Sequence, residues 1–288
     1  MALAVTALGA SMVYDFISRA ALSGVIMASL VSFNSHPSHA QSNGNDDQNL
    51  IVEADDSLQW LRDEKKYIAT GNASATRGGT RLDADVIIAD YLETETTDAE
   101  GGTTITHIEG QQNAKFTRGS MIATGENITY DLSAEKAVMT GQNAKIINGN
   151  ETLTATQSIT YDRSQRMITA TGNAHVKLSN GQELKGNVIT ATLNDGENDI
   201  IRVTANDNAE VFSPTVGAGQ NGVREAFADA MVYEKSTGIA VLTDNVVLKE
   251  AGNILKGDKA VIDTVSGTST MSSTTSGQRV GGVFQPAQ

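Results

Sequence analysis

Ile168-Thr169-Ala170-Thr171-Gly172-Asn173-Ala174-His175-Val176-Lys177-Leu178 is the stretch whose reading decides the fold. Every second residue, from Ile168 through Ala170, Gly172, Ala174 and Val176 to Leu178, is apolar or small, and the residues between them are Thr169, Thr171, Asn173, His175 and Lys177. A helix would mix these two sets. A strand separates them onto opposite faces, so the stretch predicts a half-buried β-strand with one wet face.

The centre of this stretch recurs along the chain. An Asn, a small apolar residue, a variable residue and another apolar residue appear as Asn72-Ala73-Ser74-Ala75, Asn113-Ala114-Lys115-Phe116, Asn143-Ala144-Lys145-Ile146, Asn173-Ala174-His175-Val176, Asn208-Ala209-Glu210-Val211 and Asn245-Val246-Val247-Leu248. The copies lie roughly 30 to 40 residues apart, which marks one repeated supersecondary unit and directs attention to a repeated surface instead of a single pocket. Alternation places Asn on the wet side, as a register mark.

A second pattern alternates with the first: an apolar residue, a small residue, a polar residue, an apolar residue and then an aromatic. It reads Val52, Ala54, Asp55, Leu58, Trp60; Ile122, Thr124, Gly125, Ile128, Tyr130; and Leu153, Ala155, Thr156, Ile159, Tyr161, with weaker copies from Leu82, Leu184, Phe227 and Leu255. Seven such strands and six or seven of the Asn type give roughly fourteen. Gly78-Gly79, Asn148-Gly149, Asn180-Gly181, Asn221-Gly222 and Gly252-Asn253 supply turn residues that tolerate positive φ, so hairpin follows hairpin and the sheet is antiparallel. Glu93 to Gly102 and Ser213 to Glu225 break the repeat as longer loops or extended hairpins. The expectation is one elongated all-β body over 50–265, followed by a tail over 266–288 whose Val280, Val283 and Phe284 suit a last edge strand.

Composition agrees. Of 288 residues, 39% are apolar and 5% aromatic, with only three prolines to obstruct long strands. No cysteine is present, so no disulfide, thiolate nucleophile or thiolate metal site exists. The net charge of -13 sets the chain against nucleic acid and anionic membrane surfaces.

Arg19, the apolar run from Ala20 to Phe33 and Ser38-His39-Ala40 form a signal-peptide pattern over 1–40 with cleavage near Ala40, leaving a polar leader over 41–49. Asp15 and the residues before Met12 depart from that pattern. A start at Met12 gives a more ordinary signal, and an uncleaved anchor is the other reading.

No catalytic constellation emerges. His107 and His175 lie in different repeats without a ligand at metal spacing, and the favoured reading is a solvated strand residue. Asp83 and Asp85 share a strand face as many ordinary surface acids do, which is the favoured reading; spacing does not establish the opposed carboxylates that a glycosidase pair needs. The tyrosines and Trp60 sit at a fixed strand offset, which favours sheet packing over sugar stacking. No metal site and no cofactor are expected.

Val52-Glu53-Ala54-Asp55, Leu82-Asp83-Ala84-Asp85, Ala69-Thr70-Gly71-Asn72-Ala73 and Ala170-Thr171-Gly172-Asn173-Ala174, recurring in order behind a signal, resemble the OstA-like family over about Leu50 to Phe284. The resemblance implies a twisted, partly open antiparallel β-jelly roll without enzyme activity. Its interior slot would hold the acyl chains of lipopolysaccharide (lipid A) in the periplasm. Implied partners are an LptC-like inner-membrane protein, an LptD-like outer-membrane protein and further copies stacked head to tail.

On that basis Ile146, Ile159, Ile168, Ala174, Val176, Leu178 and Leu242, inward on the best strands, are the candidate lipid-contacting residues. A solid core without lipid is the competing reading. Ile51, Val52 and Leu58 at one end and Val280, Val283 and Phe284 at the other are candidate docking edges. An uncleaved N-terminus would instead favour the anchored LptC-like relative. A secreted β-solenoid, acting as adhesin, fibre or carbohydrate-active protein, is the alternative of another class and requires parallel coils.

Overall fold

The computed structural model describes residues 50–288 apart from 78, 95–101, 180, 197–199, 216–221, 251, 264–265, 267, 275–278 and 286–288. The signal segment, its cleavage point and the leader over 41–49 lie outside the described residues. The described residues form eighteen strands. They are β1 (Ile51–Glu53), β2 (Ser57–Leu61), β3 (Lys66–Arg77), β4 (Thr80–Thr94), β5 (Gly102–Arg118), β6 (Met121–Asp131), β7 (Lys136–Thr140), β8 (Ala144–Asn148), β9 (Glu151–Ala155), β10 (Ser158–Asp162), β11 (Met167–Lys177), β12 (Glu183–Leu193), β13 (Ile200–Thr215), β14 (Gly222–Glu234), β15 (Ile239–Glu250), β16 (Asn253–Asp263), β17 (Thr268–Ser272) and β18 (Gly281–Val283).

The excess over fourteen has a local cause. Four expected strands each fall into two pieces, β1 with β2, β7 with β8, β9 with β10 and β17 with β18. The first, second and fourth of these pairs lie along a single neighbour: β1 and β2 along β3, β7 and β8 along β6, β17 and β18 along β16.

The described chain divides into two compact units. Among the described residues, the N-terminal unit holds Leu50 to Gly149 together with Thr156–Gln165, and the C-terminal unit holds Asn150–Ala155 and the residues from Arg166 onward. Within the first, β3 to β6 pair in sequence and β10 returns to β7. Within the second, β9 pairs with β11, and β11 to β17 pair in sequence. All these ladders are antiparallel, which excludes the parallel coils of the solenoid reading.

At both interruptions of the repeat the described flanks pair with each other, Tyr91–Thr94 with Gly102–Ile105 and Ser213–Thr215 with Gly222–Arg224. Gly79, Gly149, Gly181 and Gly252 have positive φ at the expected turns. On the opposite side, Asp131 Oδ1 accepts from the amides of Ser133 and Ala134, both at 2.8 Å, and Asp162 Oδ1 accepts from Ser164 Oγ and the Gln165 amide. These Asx-type bonds close the turns where no glycine is available.

Cores are built from the alternating faces. Ile87, Phe116, Ile128 and Tyr130 are buried in the N-terminal unit, and Leu193, Val203, Met231 and Leu248 in the C-terminal one. Tyr91, Tyr130, Tyr161 and Tyr233 are buried as sheet packing requires, whereas Trp60 keeps 52% of its surface exposed.

Candidate functional site

The Asn phrase is a repeated β-bulge. In β11 the register steps from Thr171 to Ala174 while the facing strand steps only from Val188 to Gly186, one residue fewer. The same shift occurs between Thr70 and Ala73, Gln111 and Ala114, Asn206 and Ala209, and Thr243 and Val246. The extra residue is accommodated by left-handed doublets: Gly71-Asn72, Gln112-Asn113, Gly172-Asn173, Asp207-Asn208 and Asp244-Asn245 all have positive φ. Asn and Asp tolerate that region because their short polar side chains bond locally. The plain period-two strand expected for 168–178 is therefore corrected: its faces alternate, but its backbone is kinked at Gly172-Asn173.

The Asn side chain fixes the kink to its neighbour. Asn113 Nδ2 donates to Asp85 Oδ2 at 3.0 Å, Asn245 Nδ2 to Asp229 Oδ2 at 2.8 Å, and Asn72 Nδ2 to Asp55 Oδ2 at 2.8 Å. Asn187 Oδ1 accepts from the Asn173 amide instead. This gives the polar residue of the alternating pattern its task, and places Asp85 in a structural bond.

Inside the kink, small residues meet in register: Ala73 with Ala84, Ala114 with Gly125, Ala174 with Gly186, Ala209 with Ala228 and Val246 with Gly257. Beyond them the facing strand changes its buried side, from Leu82 and Ala84 to Ile87, Ala89 and Tyr91, and from Ala226 and Ala228 to Met231 and Tyr233. Such a one-residue slip exchanges the two faces, so both halves of one strand serve the same core and the sheet folds over it. At Gly125 an added Cβ would lie 2.7 Å from Met139 Cγ and 2.8 Å from the Thr140 carbonyl oxygen. Gly257 stands in the same relation to Met271 Cγ, at 2.7 Å.

The candidate lipid-contacting residues separate between the units. Ile146, facing Ala123, and Ile159, facing Met139, lie in the N-terminal unit. Ile168, Ala174, Val176, Leu178 and Leu242 lie in the C-terminal unit, where Val176 pairs with Leu184 on one side and Leu153 on the other, and Leu242 with Met231 and Ala260. Ile159, Ala174, Val176, Leu178 and Leu242 are buried; Ile146 and Ile168 are half-buried.

The wet face carries charge pairs across strands. Glu183 Oε2 lies 3.0 Å from His175 Nε2 and its Oε1 3.3 Å from Lys177 Nζ, with Lys185 and Glu210 at 3.4 Å beside them. Burial acts to raise the Glu183 carboxyl, but hydrogen bonds and charge from Lys177 and His175 prevail and hold it below the ordinary glutamate value. His175 thus serves a strand-to-strand contact, and among the described residues no group of three potential ligands suits a metal ion.

The end strands are wet. Ile51, Leu58, Val280, Val283 and Phe284 are exposed and Val52 half-buried. Trp60 has three contacts: its Nε1 donates to Tyr91 Oη at 2.7 Å, its ring stacks on Tyr67, and the Arg62 guanidinium lies 4.1 Å from its centroid.

The kinks and the small-residue pairs are what alternation alone did not reveal. The signal was present in the doublets that precede each small residue, all but one built from Gly, Asn or Asp in mid-strand.

The family model for the LptA/(LptD N-terminal domain) LPS transport protein matches the chain twice, over 52–166 and 157–268. Among solved structures the chain is similar to LptH from Pseudomonas aeruginosa, described as the LptA-homologous periplasmic component of the lipopolysaccharide transport device. Identity is 24%, covering 43% of this chain and 88% of that one, with a TM-score of 0.37. No curated protein matches. The two matches span most of the chain, which therefore belongs to the LptA/LptD N-terminal-domain family of lipopolysaccharide transport proteins.

Proposed function

We propose that this protein is a periplasmic lipopolysaccharide carrier of the LptA kind, holding lipid A acyl chains against its apolar interior and passing them from an inner-membrane LptC-like partner to an outer-membrane LptD-like one. The observation that carries this reading is the double family match, laid over interiors lined by Ala, Val, Ile, Leu and Met. Burying acyl chains yields about 0.8 kcal/mol per methylene, enough to hold an anionic lipid on an acidic protein without phosphate-specific contacts. Such contacts are non-directional, so a chain can slide along them.

Delivery needs contacts at both ends. The exposed Ile51 and Leu58 with half-buried Val52 at the first edge, and Val280, Val283 and Phe284 at the last, are suited to pairing with a matching edge by β-augmentation, including that of another copy. Signal cleavage near Ala40 would release the carrier; retention of that segment would make it an anchored LptC-like relative. The test is a photo-crosslinking residue placed in cells at Ile168 or Val176. Lipopolysaccharide adducts are expected, and their absence from every inward position would sink the proposal.

A further inference from the structure

We infer that each unit is a complete lipid-holding module, so that one chain carries two lipid molecules at once; this rests on the function proposed above. The family model matches once over 52–166 and again over 157–268. Comparable structural landmarks stand in each of the two compact units.

In the N-terminal unit Asn113 on β5 donates to Asp85 on β4, and in the C-terminal unit Asn245 on β15 donates to Asp229 on β14. Next along the chain, Gly125 on β6 abuts Met139 on β7, as Gly257 on β16 abuts Met271 on β17. Each unit then closes on a broken strand laid along one neighbour, β7 and β8 on β6 in one, β17 and β18 on β16 in the other. The buried tyrosine of β4, Tyr91, has its counterpart in Tyr233 of β14. A kink, a small-residue bend, a buried core and a broken strand laid along one neighbour are thus present in each unit. Binding energy that scales with apolar area needs only the folded-over sheet, which each unit possesses by itself.

Native mass spectrometry of the purified chain titrated with short-sugar lipopolysaccharide reads the stoichiometry directly. Two lipids per chain at saturation are expected. One per chain would overturn the inference and leave the proposed function standing; none would overturn both. Photo-crosslinkers at Ile146 in the N-terminal unit and Val176 in the C-terminal unit, introduced into the same chain, should yield a species carrying two lipids. Adducts from one position only, with both variants folded by circular dichroism, would also overturn it.

Discussion

β5 and β15 run unbroken through their kinks, over Gly102–Arg118 and Ile239–Glu250, whereas Lys136–Asn148 and Glu151–Asp162, with related patterns, fall into four five-residue pieces. The unbroken strands bend on a left-handed doublet, Gln112-Asn113 or Asp244-Asn245, and meet Gly125 or Gly257 across the ladder. In the broken stretch Gly141, at φ 126, has positive φ while Gln142 and Asn143 do not. Thr156 stands three residues before Ile159, the place that Ala84 takes before Ile87 and Gly125 before Ile128. A β-branched side chain cannot tuck against a neighbouring backbone as Gly125 does, and both Thr156 and Gln157 are exposed. The difference teaches that a strand here stays continuous only where its bend has both the left-handed doublet and the small partner. It is in the broken stretch that the chain passes between its two compact units.

The sharpest contrast lies in the cores. Phe116→Ala should cost about 3–5 kcal/mol by leaving a cavity, while Ile146→Ala, half-buried in the broken stretch, should cost about 1–2 kcal/mol, both read by urea unfolding. Equal losses would erase the contrast. At the bends, Gly257→Val should destabilise by about 1–3 kcal/mol through overpacking against Met271, whereas Thr156→Val should stay within about 0.5 kcal/mol. A tolerated valine at Gly257 would break the small-partner rule.

Next come the doublets. Asn245→Ala removes the bond to Asp229 and leaves an alanine at φ 54, an expected loss of about 1–2 kcal/mol. Asn245→Gly should recover the backbone part of that loss, and Asn143→Ala should cost less than about 0.5 kcal/mol.

The smallest effect is electrostatic. The folded-state value of Glu183 lies below the unfolded one, so its contribution is present above the unfolded value of about 4.3 and fades as pH falls through the folded value. Glu183→Gln should therefore lower stability slightly at pH 7 and not at pH 3. Salt should diminish that difference, since the partners are partly solvated.

Much of the fold was legible from residue alternation. Ala170 to Leu178 alternates between buried and wetter residues as its sequence announced, and the glycine-bearing turns predicted antiparallel hairpins. The kinks were not legible, because Asn173 sits on the wet face whether the strand is straight or bulged; only its φ and the register step distinguish the two. Nor was the division into two units, since the repeat continues in sequence through Thr156 and gives no compositional break there. The apolar lining was readable residue by residue, but the separation of Ile159 from Leu242 into different units depends on which strands pair, a long-range property that alternation does not encode.

Binding of intact lipopolysaccharide against its deacylated counterpart, measured on the purified chain by isothermal calorimetry, tests the central claim most directly. If acyl chains lie against the apolar interiors, the intact lipid binds and the deacylated sugar, carrying the same core oligosaccharide, does not. Equal binding of both would place recognition on the sugars and contradict the account, as would binding of neither.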